Sequence, residues 1–179
     1  EVARELILAS IDKGIHVVTA NKAVLYYHGD EIFTKAKEKN VHVLYESSVC
    51  AGTPIIKMLN EELAGNKISK ISGMLNGTSN FILSQMENGA DFDPTLKFAQ
   101  EKGYAEPDPS FDIEGMDAAH KIGILSSIAI GTSLPPNDFY VEGIKDIDST
   151  DFKYASKLGF SIKHLAVASL TENEVQLRA

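Results

Sequence analysis

The chain has 179 residues, of which 44% are hydrophobic and 23% are charged, a composition typical of globular domains and unlike that of disordered or fibrous proteins. Its formal net charge of −8 argues against a nucleic-acid partner, because neutralising phosphates requires a surplus of Lys and Arg. The longest uncharged apolar stretch, residues 122–130, is far shorter than the ~20 residues of a membrane-spanning helix, and the single cysteine excludes an internal disulfide. We therefore expect a protein of a reducing, cytoplasmic compartment with no membrane partner.

The first part of the chain alternates between helical and strand patterns. Apolar residues recur at helical spacing from Leu6 to Ile11, and Gly14 follows as a helix-ending signal. Residues 15–19 and 41–45 are short apolar runs, and a second helical pattern lies between them. Helix, strand, helix, strand is the order of a doubly wound parallel sheet. The sequence predicts the remnant of a Rossmann-like, nucleotide-binding sheet in residues 1–50.

Beyond residue 50 the elements no longer fit one parallel sheet, and we predict an α+β domain over residues 51–179. Three predicted helices begin at an N-cap or cap-and-proline signal, at Thr53-Pro54, Asp93-Pro94 and Thr150. Two more are predicted to begin at residues 81 and 113. The predicted strands are residues 68–74, 139–147, 161–168 and 174–177. Residues 104–112 hold two prolines and three acids, so they form a loop. The helix at 113–130 is the longest and is apolar on most sides in its second half.

Lys22 follows the first predicted strand, in the segment Thr19-Ala20-Asn21-Lys22. Ligands of doubly wound sheets bind at the carboxyl ends of the strands, so this lysine is placed to meet a cofactor or a substrate. A lone lysine in a loop is most often simply solvated. Position alone leaves both interpretations open.

Asp117 and Lys121 lie four positions apart on the long predicted helix, and their side chains share one face. Because most of that helix is apolar, a buried acid and lysine are costly unless they are paired or functional. The spacing fits a structural ion pair near the helix start as well as a catalytic pair. Glu106 and Asp112 stand in the acidic loop just before this helix.

Residues 46–53, Glu-Ser-Ser-Val-Cys-Ala-Gly-Thr, form a segment of small residues between a strand and a helix. A carboxylate followed by exposed main-chain carbonyls suits a hard cation, which takes oxygen ligands. The same segment also fits a plain turn into a helix. Cys50 is expected to be a small buried hydrophobe, and His28, His120 and His164 show no metal-binding spacing.

In this order the motifs resemble the homoserine dehydrogenase family. The residues on which the resemblance rests span nearly the whole chain: Val18 to Lys22, Glu46 with Pro54 to Ile56, Gly73 to Leu83, Gly103 to Pro109, Asp112 with Gly115, Asp117 to Lys121, and Glu142 to Ile144. Several independent motifs in the same order make chance similarity improbable.

The resemblance implies reversible reduction of L-aspartate 4-semialdehyde to L-homoserine with NADPH or NADH, the branch step toward threonine, methionine and isoleucine. It implies that Lys121 donates a proton to the aldehyde oxygen. The substrate would be bound by Glu106, Asp117, Lys121 and Asp112. Lys121, Asp117 and Lys22 would form the catalytic set. Lys22 would contact both cofactor and substrate, and the backbone of Gly103 would approach the nicotinamide.

The resemblance further implies a sodium ion held by Glu46 and by the main-chain oxygens of Val49, Ala51 and Thr53. The loop departs from the family's commoner glycine-rich version at Cys50 and Ala51. A homodimer through the sheet of the second domain is also implied. Because no glycine-rich phosphate-binding turn precedes residue 1 and residue 179 falls within a predicted hairpin, we expect a truncated chain. An alternative is thus a substrate-binding and dimerisation module without turnover.

Overall fold

Alternating helices and short strands form the first part of the structure, a computed structural model that describes residues 2–136, 140–171 and 174–179. The elements are α1 (Val2–Asp12), β1 (Val17–Val18), α2 (Lys22–Glu38) and β2 (Val43–Leu44). β1 and β2 pair in parallel, with Val17 opposite Val43. Parallel strands joined by a helical crossover are the unit of a doubly wound sheet. The predicted Rossmann-like arrangement is confirmed.

The described residues divide into two compact units, which we treat separately. Unit 1 contains residues 2–71, 123–136, 170, 171 and 174, and unit 2 contains residues 72–122, 140–169 and 175–179. The sequence placed the domain boundary at residue 50, and that position stays a prediction.

The core of unit 1 lies between α1, α2 and the two strands. Apolar side chains at three- and four-residue spacing give each helix one buried face. The buried members of this core are Ile7, Ile11, Val24, Ile32, Ala36 and Val41. Gly14 ends the first helical segment with a φ of 72°, a conformation that favours glycine. The opening helix is therefore confirmed together with its glycine cap.

The segment of unit 1 that precedes β3 was predicted to contain a helix that starts at Thr53-Pro54, and the structure differs there. Two short helices, α3 (Ser47–Cys50) and α4 (Ile55–Lys57), are followed by a π-helical turn, Met58–Glu62. The predicted N-cap at Thr53 is wrong, because α4 begins at Ile55 and its cap residue Pro54 has no side-chain hydrogen bond. The first amides of α4 are bound instead by a carboxylate from before α3. Such a long-range cap has no local signature.

Unit 2 contains the remaining helices and a small sheet. The elements in chain order are β3 (Lys70–Gly73), α5 (Gly77–Glu87), α6 (Phe92–Glu101), α7 (Ser110–Ile113), α8 (Met116–Ile130), α9 (Ser149–Lys157), β4 (Ala166–Leu170) and β5 (Val175–Arg178). The first residues of β3, the second half of α8 and the end of β4 belong to unit 1. The strands form a sheet in the order β3-β4-β5. The α+β class is confirmed, and the core of unit 2 contains Ile82, Leu83, Met86, Ile113, Ile144 and Phe152.

The long helix predicted over residues 113–130 is two helices. Gly115 separates α7 from α8 with a φ of 85°, a conformation that L side chains rarely adopt. A Cβ atom at this position would lie only 2.9 Å from the main-chain oxygen of Glu142. The break therefore results from a close approach of two distant backbone segments, which the apolar pattern did not reveal.

The strand predicted over residues 139–147 is not formed in the described residues, and its first position, residue 139, lies outside them. Tyr140 makes an isolated parallel bridge with Arg178. The chain then turns at residues 144–146, and the amide of Ile144 donates to the main-chain oxygen of Ile113 at 2.8 Å. Pairing with the end of the chain is thus limited to residues 140–142, where the Glu142 amide donates to the Ala179 oxygen and the Ala179 amide to the Tyr140 oxygen, and contacts with α7 follow.

α9 begins with a capping box rather than at the predicted cap, Thr150. The carboxylate of Asp148 accepts hydrogen bonds from the amides of Thr150 and Asp151 at 2.6 and 3.3 Å, and Asp151 binds the amide of Asp148 in return. Hydrogen bonds from the Thr150 and Asp151 amides lower the pKa of Asp148 below its usual value. The ionised carboxylate therefore stabilises the start of α9.

We expect Asp148→Ala to speed amide exchange in α9 severalfold at pH 7, because the helix loses its cap. Since the folded-state pKa is lowered, the contribution of the charge is fully present above the usual pKa of Asp, ~3.9, and is lost as the pH falls through the lowered value. The ratio of variant to parent exchange rates should therefore shrink below about pH 4. Hydrogen exchange measured by mass spectrometry, with exposed Asp146→Ala as control, tests this. A pH-independent ratio contradicts it.

Candidate functional site

The turn between β3 and α5 forms one wall of a cleft in unit 2. Asn76 is the N-cap of α5, and its Oδ1 atom accepts a hydrogen bond from the amide of Ser79 at 2.8 Å. An extended backbone at Asn76, with φ −123° and ψ 122°, is typical of an N-cap residue. The strand thus ends and the helix begins within residues 74–77, and this tight turn points polar atoms toward the first turn of α8.

Asp117 and Lys121 form an ion pair on α8, as their spacing suggested. Lys121 Nζ lies 2.7 Å from Asp117 Oδ2, and the two side chains are 18% and 8% exposed. The same ammonium group donates a hydrogen bond to the main-chain oxygen of Leu75 at 2.7 Å. Because an ammonium group has three hydrogens, these two contacts fix its direction while the side chain still reaches the cleft.

Asn76 also binds two carboxylates at once. Its Nδ2 atom donates to Asp112 Oδ1 at 2.7 Å and to Asp117 Oδ2 at 2.9 Å. The main-chain oxygen of Asp112 accepts a hydrogen bond from Ser79 Oγ at 2.9 Å, which attaches α7 to the first turn of α5. Two acids and one lysine therefore meet around a single amide group.

The cleft is open and has a volume of about 500 Å³. Its lining residues come from α5, α7, α8 and the loop after α6: Asn76, Gly77, Thr78, Phe81, Tyr104, Asp112, Asp117 and Lys121. Thr78 Oγ1 donates to the main-chain oxygen of Tyr104 at 2.7 Å, and the Phe81 and Tyr104 rings meet edge to face with centroids 5.3 Å apart. A cleft with carboxylates beside an oriented ammonium group suits a small ligand that has a cationic end and an oxygen atom.

The structure brings together three of the predicted site residues, Asp112, Asp117 and Lys121. Glu106 is exposed and is not among the residues that line the cleft, and its main-chain oxygen accepts a hydrogen bond from Gln100 Nε2 at 3.2 Å. Gly103 follows α6 with a φ of 73° and an exposed backbone. The roles of Glu106 and Gly103 stay predictions.

Lys22 belongs to unit 1, where it is the first residue of α2. The preceding Asn21 is the N-cap, and its side chain accepts a hydrogen bond from the amide of Val24 at 3.1 Å. The hydroxyl oxygen of Thr19 accepts from the amide of Asn21 at 3.1 Å. The lysine thus stands at the carboxyl end of β1, where ligands of doubly wound sheets bind, and at the amino end of a helix, which favours anions.

Asn76, Thr78 and Tyr104 line the cleft but were not singled out as site residues from the sequence. The segment Asn76-Gly77-Thr78 was interpreted only as turn and cap formers. An Asn between a strand and a helix is a capping signal. Its hydrogen bonds to Asp112 and Asp117, however, join residues 36 and 41 positions apart. Such contacts cannot be found from local pattern.

Glu46, the predicted cation ligand, caps α4 in unit 1. Its Oε1 accepts from the amide of Ile56 and its Oε2 from the amide of Lys57, each at 2.8 Å. Ala51 has a φ of 47° and a ψ of −110°, and a positive φ is a conformation that glycine adopts more readily than alanine. No group of three or more His, Cys, Asp or Glu side chains that could bind a metal was found in residues 2–136, 140–171 and 174–179.

Parallel strands joined by a helix, followed by an α+β unit with an acid–lysine cleft, place the chain among two-part α/β proteins with a nucleotide-binding portion and a separate ligand-binding portion. Two family models narrow this class. One described as homoserine dehydrogenase matches residues 54–179, and one described as the NAD binding domain of homoserine dehydrogenase matches residues 1–46. The chain belongs to the homoserine dehydrogenase family, which confirms the resemblance found in its motifs.

Individual relatives agree with this assignment. A homoserine dehydrogenase of Pseudomonas aeruginosa is 52% identical over 178 residues, which are 99% of this chain and 41% of that protein. The crystal structure of a homoserine dehydrogenase from Thiobacillus denitrificans has a TM-score of 0.95 at 51% identity, over 99% of this chain and 42% of that one. A hyperthermophilic archaeal homoserine dehydrogenase in complex with NADPH has a TM-score of 0.82 at 33% identity, over 98% of this chain and 51% of that one.

The chain spans 41% of the length of the curated relatives from Pseudomonas aeruginosa and Neisseria gonorrhoeae. Within the described residues, no helix has both the length and the apolar character needed to cross a membrane.

Proposed function

We propose that the complete polypeptide containing this chain catalyses the reversible, NADPH- or NADH-dependent reduction of L-aspartate 4-semialdehyde to L-homoserine. The observation that supports this most directly is the position of Lys121 Nζ, held between Asp117 Oδ2 and the Leu75 oxygen at the edge of the cleft. Membership of the homoserine dehydrogenase family favours this enzyme over the alternative of a binding module without turnover.

Lys121 is the catalytic acid in this proposal. Reducing an aldehyde places negative charge on its oxygen, and an oriented ammonium group stabilises that charge and donates the proton that completes the alcohol. The contacts with Asp117 and Leu75 hold Nζ in place before the substrate arrives. Lys22 and Gly103 would hold a reduced nicotinamide, which would supply the hydride for the aldehyde carbon. In the reverse direction the neutral amine of Lys121 removes the hydroxyl proton of homoserine.

The carboxylates select the substrate in this proposal. Asp112 and Asp117 lie beside each other on Asn76 and give the cleft an excess of negative charge over Lys121. Such a site attracts the ammonium group of an amino acid and repels a dicarboxylate. Glu106 lies in the exposed loop after Gly103. Its side chain would be the third carboxylate that contacts the bound substrate.

Nicotinamide binding is assigned to Lys22 and Gly103. The amino end of α2 and the cation of Lys22 follow β1, which fits an anionic nucleotide. The exposed backbone of Gly103, where no atom lies within 4 Å of an added Cβ, leaves room for a flat ring. The relative in complex with NADPH supports a nicotinamide cofactor for the family.

A sodium ion at residues 46–53 is also proposed, with main-chain oxygens as its ligands. The carboxylate oxygens of Glu46 already bind the amides of α4, so this side chain fits a cation less well than it fits its capping role. Carbonyl oxygens of Val49, Ala51 and Thr53 suit a hard cation. The Thr53 oxygen accepts from the amide of Ile55 and keeps a second lone pair.

Replacing sodium with tetramethylammonium at constant ionic strength is expected to speed amide exchange in residues 46–57 severalfold. The reason is that the carbonyl oxygens lose their shared ligand and the loop opens more often. Hydrogen exchange by mass spectrometry measures this, and peptides from α9 serve as the internal control. Equal exchange in both salts contradicts the cation site.

The remaining proposals concern assembly and setting. We infer a homodimer through the β3-β4-β5 sheet, a cytoplasmic location, no nucleic-acid or membrane partner, and a place on the branch toward threonine, methionine and isoleucine. The family resemblance supports the dimer and the pathway, and the net charge of −8 supports the absence of nucleic acid. Light scattering of the purified complete polypeptide tests the dimer.

The activity itself is tested with the complete natural polypeptide and L-homoserine, by following the appearance of reduced NADP or NAD. L-Serine is the matched control, because it has the same hydroxyl, ammonium and carboxylate groups and is shorter by one methylene. Turnover that depends on homoserine supports the proposal. Absence of homoserine turnover with both nucleotides overturns it.

A further inference from the structure

Asn76 makes three side-chain hydrogen bonds at the wall of the cleft. It is 3% exposed, and it makes one accepted and two donated hydrogen bonds, to the Ser79 amide and to the carboxylates of Asp112 and Asp117. The two carboxylates come from different helices, α7 and α8. A single amide nitrogen therefore connects the start of α5 to both acids of the site.

We propose that Asn76 is a positioning residue that holds Asp112 and Asp117 side by side, so that Asp117 presents Lys121 to the reacting oxygen. This inference rests on the proposed function and assigns the residue that arranges its acids. Asn76 does not itself need to touch the substrate.

The chemistry of the amide explains why this position needs Asn. Ser, Thr and Asp cap helices about as well as Asn, so capping of α5 alone does not require an amide. Two carboxylates bound to one nitrogen lie close together and repel each other. A neutral NH₂ group offers one hydrogen to each acid while the carbonyl still caps the helix. Only an amide of this length makes all three contacts.

Neighbouring groups hold Asn76 in place. The side chain of Asn80 donates to the main-chain oxygen of Asn76 at 3.0 Å. Asn80 also exchanges hydrogen bonds with the backbone of His164, at 3.0 and 2.9 Å. The main-chain oxygen of Leu75 binds Lys121. Leu75 and Asn76, two consecutive residues, therefore bind the lysine and both carboxylates of the site. The titratable groups that face the Asn76 amide are Asp112 of α7, Asp117 and Lys121 of α8, and Tyr104 across the cleft.

The test uses Asn76→Asp and Asn76→Ser in the complete polypeptide. Both variants keep an N-cap oxygen for α5 but cannot donate to both acids. Without that donation the close carboxylates hold a proton to higher pH. The acidic limb of the kcat/KM profile for reduction of L-aspartate 4-semialdehyde, the direction in which Lys121 must be charged and the acids ionised, should therefore move up by about one pH unit or more. At neutral pH we expect kcat/KM to fall roughly 10- to 100-fold.

Asn88→Asp is the matched control, because it makes the same change at the exposed far end of α5, where Asn88 binds the main-chain oxygen of Ser84. Its profile should overlay that of the parent. Circular dichroism and thermal unfolding confirm that each variant folds, and Asn76→Ser decides the question if the Asp variant does not. Folded, active Asn76 variants with an unmoved acidic limb overturn the positioning role. A parent without homoserine turnover overturns the proposed function instead.

Discussion

Lys121→Ala is expected to lower kcat for homoserine oxidation by the complete polypeptide by about 10²- to 10⁴-fold, the usual contribution of a general acid or base. Among Asp112, Asp117 and Lys121, only the lysine has a cationic group, and its Nζ atom can donate a proton to the aldehyde oxygen. Its two fixed contacts, with Asp117 and Leu75, hold it at the edge of the cleft. Alanine removes the donor and leaves Asp117 without this partner.

The measurement is steady-state formation of the reduced nucleotide at saturating homoserine and cofactor, with Lys97→Ala on the exposed side of α6 as control. Because the loss concerns the chemical step, we expect kcat to fall far more than the affinity for the nucleotide changes. Lys121→Arg keeps the charge but has a different shape, so it should recover only part of the rate. Near-normal turnover of Lys121→Ala would refute the mechanism.

Gly143→Ala is expected to destabilise unit 2 by about 3 kcal/mol or more, a large value for adding one methyl group. An ideal Cβ at Gly143 would lie 2.3 Å from the oxygen of Ile113 and 2.7 Å from the Cα of Glu114. Both atoms are backbone, so they cannot move aside as a flexible side chain would. The same shift breaks the hydrogen bond from Ile144 to Ile113.

Urea unfolding of the complete polypeptide, followed by circular dichroism and by amide exchange of α7 and α8 peptides, measures this effect. Gly65→Ala is the matched control, since no atom lies within 4 Å of an added Cβ there. We expect activity to fall with stability, because α7 also contributes Asp112. An unchanged unfolding midpoint in Gly143→Ala would show that the backbones separate at little cost.

Local signals in the sequence predicted most of the first unit and the reactive pair. The apolar spacing in α1, the glycine that ends it and the strand runs of β1 and β2 all depend on near neighbours in sequence. Asp117 and Lys121 are one helical turn apart, so their contact also follows from local geometry. The family motifs added the chemistry and were confirmed by the family match.

The features that the sequence did not predict depend on distant segments. Gly115 breaks the long helix because Glu142 approaches it, and Thr53 is not a cap because Glu46 binds the amides of α4. In the sequence Asn76 has the pattern of an ordinary N-cap, and its contacts with Asp112 and Asp117 exist only in the folded structure. In each case one backbone or side-chain contact across many residues outweighs a correct local preference.

The dipeptide Asn76-Gly77 has a chemical consequence for the life of the protein. In a flexible chain the amide nitrogen of a glycine attacks the side chain of a preceding asparagine, and the resulting succinimide opens to aspartate or isoaspartate. The native fold binds Oδ1 to Ser79 and Nδ2 to two acids, which holds the side chain away from that attack. Unfolding would release the Asn76 side chain from these bonds, and deamidation of the unfolded chain would then make the loss of structure permanent.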